Sequence, residues 1–225
     1  MNKKIILLTF VLNISFTNTS NLYSSRHNAI TKAIQEVSPA VVGINVTQIK
    51  QHAAHPFFDP FFNPFSDPFF EEFFRPKMRK YKVENLGSGV VISSDGYIIT
   101  NSHVIENADE IIVSMSGGKT YNAEIIGSDD LTDIALIKIN EVNLPNVQFG
   151  DSDNLIIGEW VIALGNPLGL FDISNKPTAT VGILSGKGMD FGQKESGRVY
   201  QDMLQTDASI NSGNSGGPLV NSDGN

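Results

Sequence analysis

Short apolar runs separated by turn-forming residues recur along most of the chain after residue 86. The runs are rich in β-branched residues and too short for helices, so they predict strands. Two of them, residues 89–93 and 97–100, flank an Asp-Gly pair that predicts a hairpin turn. A series of short strands with almost no helical periodicity predicts an all-β barrel or sandwich. The further predicted strands cover residues 110–114, 120–126, 134–139, 155–163, 178–185, 200–206 and 218–221.

Helical spacing precedes the first strand. Residues 28–38 place Ile30, Ile34 and Val37 on one side of a helix, which predicts a short amphipathic helix. The β-branched residues at 40–46 then predict the first strand of the sheet.

Residues 55–74 break the strand pattern with a repeat of proline and phenylalanine. Proline recurs every four residues there, which excludes a regular helix and a central strand. The phenylalanine content exceeds that of a solvated linker, so two interpretations stay open. The segment contacts a partner surface (another subunit, a substrate or a lipid), or it is a low-complexity insertion that packs on its own domain or is disordered. His52 and His55 flank it without a carboxylate cluster, so no metal site is predicted.

Composition excludes several classes of function. The 225 residues are 40% hydrophobic, enough for one large all-β domain or two small ones. A net charge of −8 argues against a nucleic-acid partner, which would need a basic face. The chain has no cysteine, and therefore no disulfide, thiolate metal site or cysteine nucleophile. We expect no cofactor and no metal.

The N-terminus has the pattern of a secretory signal. Lys3 and Lys4 precede an apolar run at residues 5–12, which is too short for a comfortable membrane span. We assign residues 1–25 to a signal peptide for export across the inner membrane. Retention of this segment as an N-terminal anchor is the alternative.

The candidate chemistry centres on Ser215, which lies between glycines in residues 213–218 (GNSGGP). Because Gly213 has no side chain, the backbone around Ser215 can aim its N–H groups at a bound carbonyl oxygen. A serine hydroxyl is a weak nucleophile at neutral pH and needs a base.

A histidine and a carboxylate complete the set of candidates. Of the four histidines, only His103 follows a strongly predicted strand. Asp133 directly precedes an apolar run, where a buried carboxylate can hold one imidazole tautomer. Asp129 and Asp130 are better interpreted as turn residues, and a turn or strand-capping role is the alternative for Asp133. The order His103, Asp133, Ser215 excludes the α/β-hydrolases, which carry the acid and the histidine after the serine. The same order on an all-β chain is that of the chymotrypsin double barrel.

Several motifs in this order resemble the protease domain of the HtrA/Deg serine endoproteases. The resemblance runs from about residue 29 to the end of the chain and implies a chymotrypsin-like double β-barrel. The motifs are residues 100–104 (TNSHV), 132–136 (TDIAL), 163–167 (ALGNP), 205–208 (QTDA) and 213–218 (GNSGGP).

The resemblance also implies roles for individual residues. Ser215 would be the nucleophile, His103 the general base and Asp133 its orienting acid. The backbone N–H groups of Gly213 and Ser215 would form the oxyanion hole. The family implies acyl-enzyme cleavage of unfolded or misfolded periplasmic proteins without ATP, and trimer-based homo-oligomers.

The resemblance divides the chain into two barrels. We expect a first barrel at residues 29–144 with the Phe/Pro-rich loop at 50–82, and a second barrel at 145–225 that is incomplete. We expect this sequence to contain none of the PDZ domains that the family carries. Two other functions stay open: an inactive truncated remnant, and a chaperone-like binder of unfolded proteins.

Overall fold

A computed structural model describes residues 26–53, 78–166 and 174–225. The predicted helix is confirmed as α1 (Ala29–Val37). Its start is fixed by a reciprocal capping box: Asn28 Oδ1 accepts a 2.9 Å hydrogen bond from the Thr31 N–H, and Thr31 Oγ1 accepts a 3.1 Å bond from the Asn28 N–H. The helix gives way to a 3₁₀ turn at Ser38–Ala40 that contains a proline near its start.

Six antiparallel strands close a barrel in the order β1-β2-β3-β6-β5-β4. A short helix, α2 (Ser102–Ile105), lies between the third and fourth strands. The predicted Asp-Gly hairpin is confirmed between β2 and β3, where the Ile92 N–H donates to the Tyr97 carbonyl over 2.9 Å. The strands are β1 (Val41–Ala53), β2 (Met78–Val91), β3 (Tyr97–Thr100), β4 (Glu110–Met115), β5 (Thr120–Asp129) and β6 (Ile134–Ile139).

The barrel interior is filled by alternate residues of its strands. On β6, Ala135, Ile137 and Ile139 are buried, and they pack with residues such as Ile44 of β1. Ile134 is 51% exposed. Burial therefore alternates along this apolar stretch of β6, as expected for a strand with one solvated face.

The pairing of β1 with β2 is longer than the sequence indicates. Their register runs from Val41 opposite Val90 to Ala53 opposite Met78. Strand pairing therefore reaches into both ends of the loop expected at residues 50–82. The Phe-rich core of that loop, residues 55–74, lies outside the described residues.

The second half of the chain forms a four-stranded antiparallel sheet in the order β11-β8-β7-β12, beside a separate pairing of β9 with β10. This arrangement fits the expected all-β fold with a second barrel that is incomplete. The strands are β7 (Trp160–Gly165), β8 (Thr178–Met189), β9 (Gly192–Gln193), β10 (Val199–Tyr200), β11 (Met203–Thr206) and β12 (Leu219–Asn221).

Two predicted strand boundaries in this half are wrong. The strand expected at 155–163 begins at Trp160, because a turn precedes it in which the Glu159 N–H donates to the Ile156 carbonyl over 3.0 Å. The strand expected at 200–206 is broken at Asp202, whose φ of 50° is incompatible with extended backbone.

Helix α1 joins the two halves of the chain. Its buried residues Ala33 and Val37 pack in one cluster with Val41 of β1 and with Ile162 and Leu164 of β7. Within the three described ranges, no helix has the length and apolar character needed to cross a membrane.

Candidate active site

The barrel brings His103 and Asp133 into direct contact. His103 lies on α2, immediately after β3, and its Nδ1 is 2.7 Å from Asp133 Oδ2. The other carboxylate oxygen, Oδ1, accepts bonds from the His103 backbone N–H (3.0 Å) and from Ser102 Oγ (3.1 Å). Because an ionised carboxylate only accepts, Nδ1 carries a proton and Nε2 is left as the basic nitrogen.

The backbone of Asp133 is also held by hydrogen bonds. Its carbonyl oxygen accepts bonds from the Ser102 N–H (3.1 Å) and from Asn101 Nδ2 (2.8 Å). Its φ of 60° is left-handed, a conformation that aspartate tolerates better than bulky residues do. The acid therefore reaches the histidine from a tight turn at the start of β6.

Burial and hydrogen bonding act in opposite directions on Asp133, which is 6% exposed. Burial raises the pKa of its carboxyl group, but hydrogen bonds from the His103 backbone and ring and from Ser102 outweigh burial and lower the pKa below its ordinary value. Asp133 is therefore anionic at neutral pH. The His103 side chain is 37% exposed, so the imidazole is only partly withdrawn from solvent.

Ser215 lies in the connection between β11 and β12, in a backbone shaped by two left-handed glycines. Gly213 has a φ of 97° and Gly216 a φ of 84°, a region that favours glycine. The Asn214 N–H donates to the Asn211 carbonyl over 3.0 Å, which tightens the turn before the serine. Among the described residues, the N–H groups of Gly213 and Ser215 form no hydrogen bond.

The turn at residues 213–216, called the serine turn below, lies against the end of β3. That end of the strand is three residues before His103 in the chain. A Cβ on Gly216 would collide with Thr100 Oγ1 and would lie 3.0 Å from the Asn101 backbone nitrogen. In the part of the chain that the structure describes, the Ser215 hydroxyl makes no hydrogen bond to the His103 ring. In serine and cysteine enzymes without substrate this contact is often long, and it tightens when substrate binds.

Ser88, on β2, holds the serine turn in place. Its N–H donates to the Ser215 carbonyl (2.8 Å), and its Oγ donates to the Gly213 carbonyl (2.5 Å). The same Oγ accepts a 2.7 Å bond from the Asn166 N–H, and the Ser88 carbonyl accepts a 2.7 Å bond from Thr100 Oγ1. Ser88 is fully buried. Ser88 was not among the predicted site residues, although its position between two glycines within a strand is a signal of close backbone approach.

A second residue that the sequence left aside is Arg198. The hairpin of β9 and β10 brings its Nε 3.4 Å from Asp133 Oδ1. Arg198 follows a polar, glycine-containing stretch at residues 186–196, and the sequence around it shows no signal of a contact with Asp133. In the described ranges, no group of three or more His, Cys, Asp or Glu side chains is arranged to hold a metal ion.

The part of the chain that contains His103, Asp133 and Ser215 is similar to a known family. Residues 87–225 match the family model described as the trypsin-like peptidase domain. The chain belongs to the trypsin-like peptidase family. The expected all-β, chymotrypsin-like fold is confirmed.

Within the trypsin-like peptidases, several similar curated proteins carry the name probable periplasmic serine endoprotease DegP-like. That of Pseudomonas putida (strain W619) is 42% identical over 204 residues, covering 86% of this chain and 41% of the relative. That of Halomonas elongata is 36% identical over 230 residues, covering 97% of this chain and 47% of the relative. The chain thus spans less than half the length of these relatives.

The chain is also similar to solved structures of HtrA-type proteases. The HtrA-type protease AlgW with a decapeptide is 37% identical, with a TM-score of 0.64, over 87% of this chain and 56% of that one. AlgW with a tripeptide is 34% identical, with a TM-score of 0.66, over 87% of this chain and 52% of that one. The resemblance to the HtrA/Deg proteases is therefore confirmed. The roles of His103, Asp133, Gly213 and Ser215 stay predictions.

Proposed function

We propose that this protein is a serine endopeptidase that cleaves polypeptides through an acyl-enzyme on Ser215. The observation that carries the proposal is the 2.7 Å contact between His103 and Asp133. It lies near a serine turn in which the Gly213 and Ser215 N–H groups have no hydrogen-bond partner among the described residues. A hydrogen-bonded acid and imidazole on the first barrel, and a glycine-flanked serine from the second half, are the parts that acyl transfer requires.

The proposed reaction begins with attack of Ser215 Oγ on the peptide carbonyl carbon. His103 Nε2 takes the hydroxyl proton as the new C–O bond forms, and the carbonyl π electrons move to the oxygen. The N–H groups of Gly213 and Ser215 bind this oxyanion. When the intermediate collapses, the C–N bond breaks and the leaving amine receives the proton from His103. Water then attacks the ester in the same way and releases the acid product.

Asp133 acts in this scheme through the imidazole and does not itself change protonation. Its anionic carboxylate fixes the Nδ1–H tautomer and stabilises the imidazolium that forms in each step. In a related triad, neutralising the acid while keeping its shape lowers kcat by about 10⁴-fold.

We further propose that the substrates are unfolded or misfolded polypeptides of the periplasm and that the protein assembles into trimers. Three observations support the setting: the N-terminal signal pattern at residues 1–25, relatives named periplasmic endoproteases, and solved relatives that hold peptides. The Phe-rich residues 55–74 are the proposed subunit contact. Light scattering after deletion of this segment tests the assembly, and a trimer that persists contradicts the assigned contact.

Covalent labelling tests the proposed chemistry directly. A fluorophosphonate probe followed by peptide mapping should modify Ser215 in the natural protein and leave Ser215→Ala unmodified. Ser212→Ala is a matched control, because this neighbouring serine is exposed and has no proposed role. Cooperative thermal unfolding of each variant shows that it is folded. A folded natural protein that resists the probe contradicts the proposal and favours an inactive remnant.

A further inference from the structure

The hairpin formed by β9 and β10 is anchored against the turn that carries the catalytic acid. The Val199 N–H donates to the Leu131 carbonyl over 2.9 Å. The preceding residue, Arg198, brings its Nε within 3.4 Å of Asp133 Oδ1. The hairpin therefore delivers a permanent positive charge to the carboxylate on which the histidine depends.

The contact between Arg198 and Asp133 acts through charge and not through a hydrogen bond. Asp133 Oδ1 already accepts bonds from the His103 N–H and from Ser102 Oγ. Arg198 Nε is buried and forms no hydrogen bond within the described residues. Two opposite charges this close, in a site largely withdrawn from water, interact more strongly than an exposed pair does.

Arg198 is the cation that faces this carboxylate. Among the described residues, His103 and Arg198 are the titratable or charged side chains that contact Asp133. Lys194, on the same hairpin, is exposed and lies over the ring of Phe191 at 5.4 Å. Glu106, Asp129, Asp130 and Glu195, which lie on neighbouring elements, are exposed. Lys138 of β6 is half-buried, and its Nζ donates to the carbonyl groups of Asp95 and Ile139.

We propose that Arg198 is a positioning residue whose charge, placed against Asp133, extends the activity of His103 as a base to lower pH. A nearby cation opposes the protonated imidazolium, so the neutral base persists as the solution becomes more acidic. The same cation partly offsets the pull of Asp133 on the imidazolium. This inference rests on the proposed peptidase function, because the base is defined by that reaction.

The pH dependence of fluorophosphonate labelling tests this role. Arg198→Gln should move the midpoint of the acidic limb upward by at least about half a pH unit, since it removes the opposing cation. The plateau rate at high pH should stay within about 2-fold of the natural protein, because His103 and Asp133 keep their hydrogen bonds. Arg198→Lys keeps a cation and should restore the natural midpoint.

Lys194→Gln is the matched control, since it removes one positive charge from the same hairpin away from Asp133. Its midpoint should equal that of the natural protein. An unchanged or lowered midpoint in Arg198→Gln overturns the inference, as does an equal shift in Lys194→Gln or in Arg198→Lys. Failure of the natural protein to be labelled refutes the peptidase function itself, whereas normal labelling with no shift in Arg198→Gln refutes the role of Arg198 alone.

Discussion

The replacement Ser88→Ala should weaken the attachment of the serine turn to the first barrel by removing the hydrogen bonds of the Ser88 hydroxyl. The Ser88 hydroxyl is shared by the Gly213 carbonyl, 2.5 Å away, and the Asn166 N–H, 2.7 Å away. The backbone bond from the Ser88 N–H to the Ser215 carbonyl does not depend on the side chain and should remain. The substitution therefore frees the peptide group before Asn214 while the one after Ser215 stays held.

The size of the effect follows from the two groups that lose the hydroxyl. Ser88 is 0% exposed, and both bonds lie in buried surroundings, so water cannot replace the hydroxyl without rearrangement. A buried polar group left without that partner costs about 1–3 kcal/mol. The free energy of unfolding should therefore fall by about 2–6 kcal/mol. The labelling rate of Ser215 should fall as well, because the turn that carries the proposed oxyanion donors is less fixed.

Urea unfolding and fluorophosphonate labelling measure these two effects. Ser128→Ala is the matched control, since Ser128 is an exposed residue of β5, and its stability should stay within about 0.5 kcal/mol of the natural value. If Ser88→Ala is as stable as Ser128→Ala and is labelled as fast as the natural protein, the buried hydroxyl does not hold the turn. The reasoning from its two bonds would then be refuted.

Two further substitutions test the glycine turn and the acid. Gly216→Ala should lower the free energy of unfolding, measured in urea, by about 3 kcal/mol or more, since left-handed strain adds to a collision with Thr100. Gly117→Ala is the control, because Gly117 has a similar φ in open space, and it should lower that free energy by about 1–2 kcal/mol. Equal losses in the two variants would contradict the close approach of Gly216 to Thr100. Asp133 has a lowered pKa, so its stabilising effect is present above the unfolded value and is lost as pH falls through the folded one, below about pH 4. Stability curves should lose this acid-side decline in Asp133→Asn, and an unchanged decline would assign it to other carboxylates.

Strands of the first barrel were predictable because turn-forming residue pairs mark the ends of several of them. The Asp-Gly pair before Tyr97 and the Gly-Gly pair before Lys119 mark two hairpins that the structure contains. The start of β7 was not predictable in this way. Ile156 and Ile157 have strand-like composition, yet they lie 70% and 60% exposed in a turn. Composition records that a residue is apolar, but not whether tertiary contacts bury it.

The contact between His103 and Asp133 agrees with a pairing expected from motif and chain order. The contacts of Ser88 and Arg198 were not predictable, because they depend on how distant segments pack. Ser88 and Gly213 are 125 residues apart in the chain, and no local pattern links them. Arg198 belongs to a polar hairpin whose composition is that of a solvated loop, and only its docking on the Asp133 turn gives its charge a partner.

The central claim is that Ser215, His103 and the two backbone N–H groups act on one carbonyl group. A crystal structure of the protein after reaction with a peptidyl phosphonate tests it most directly. We expect a covalent bond from Ser215 Oγ to phosphorus, one phosphoryl oxygen about 3 Å from the N–H groups of Gly213 and Ser215, and His103 Nε2 within hydrogen-bonding distance of the adduct. An adduct whose phosphoryl oxygen points away from both N–H groups, or a His103 ring turned away from Ser215 while still paired with Asp133, would contradict the account.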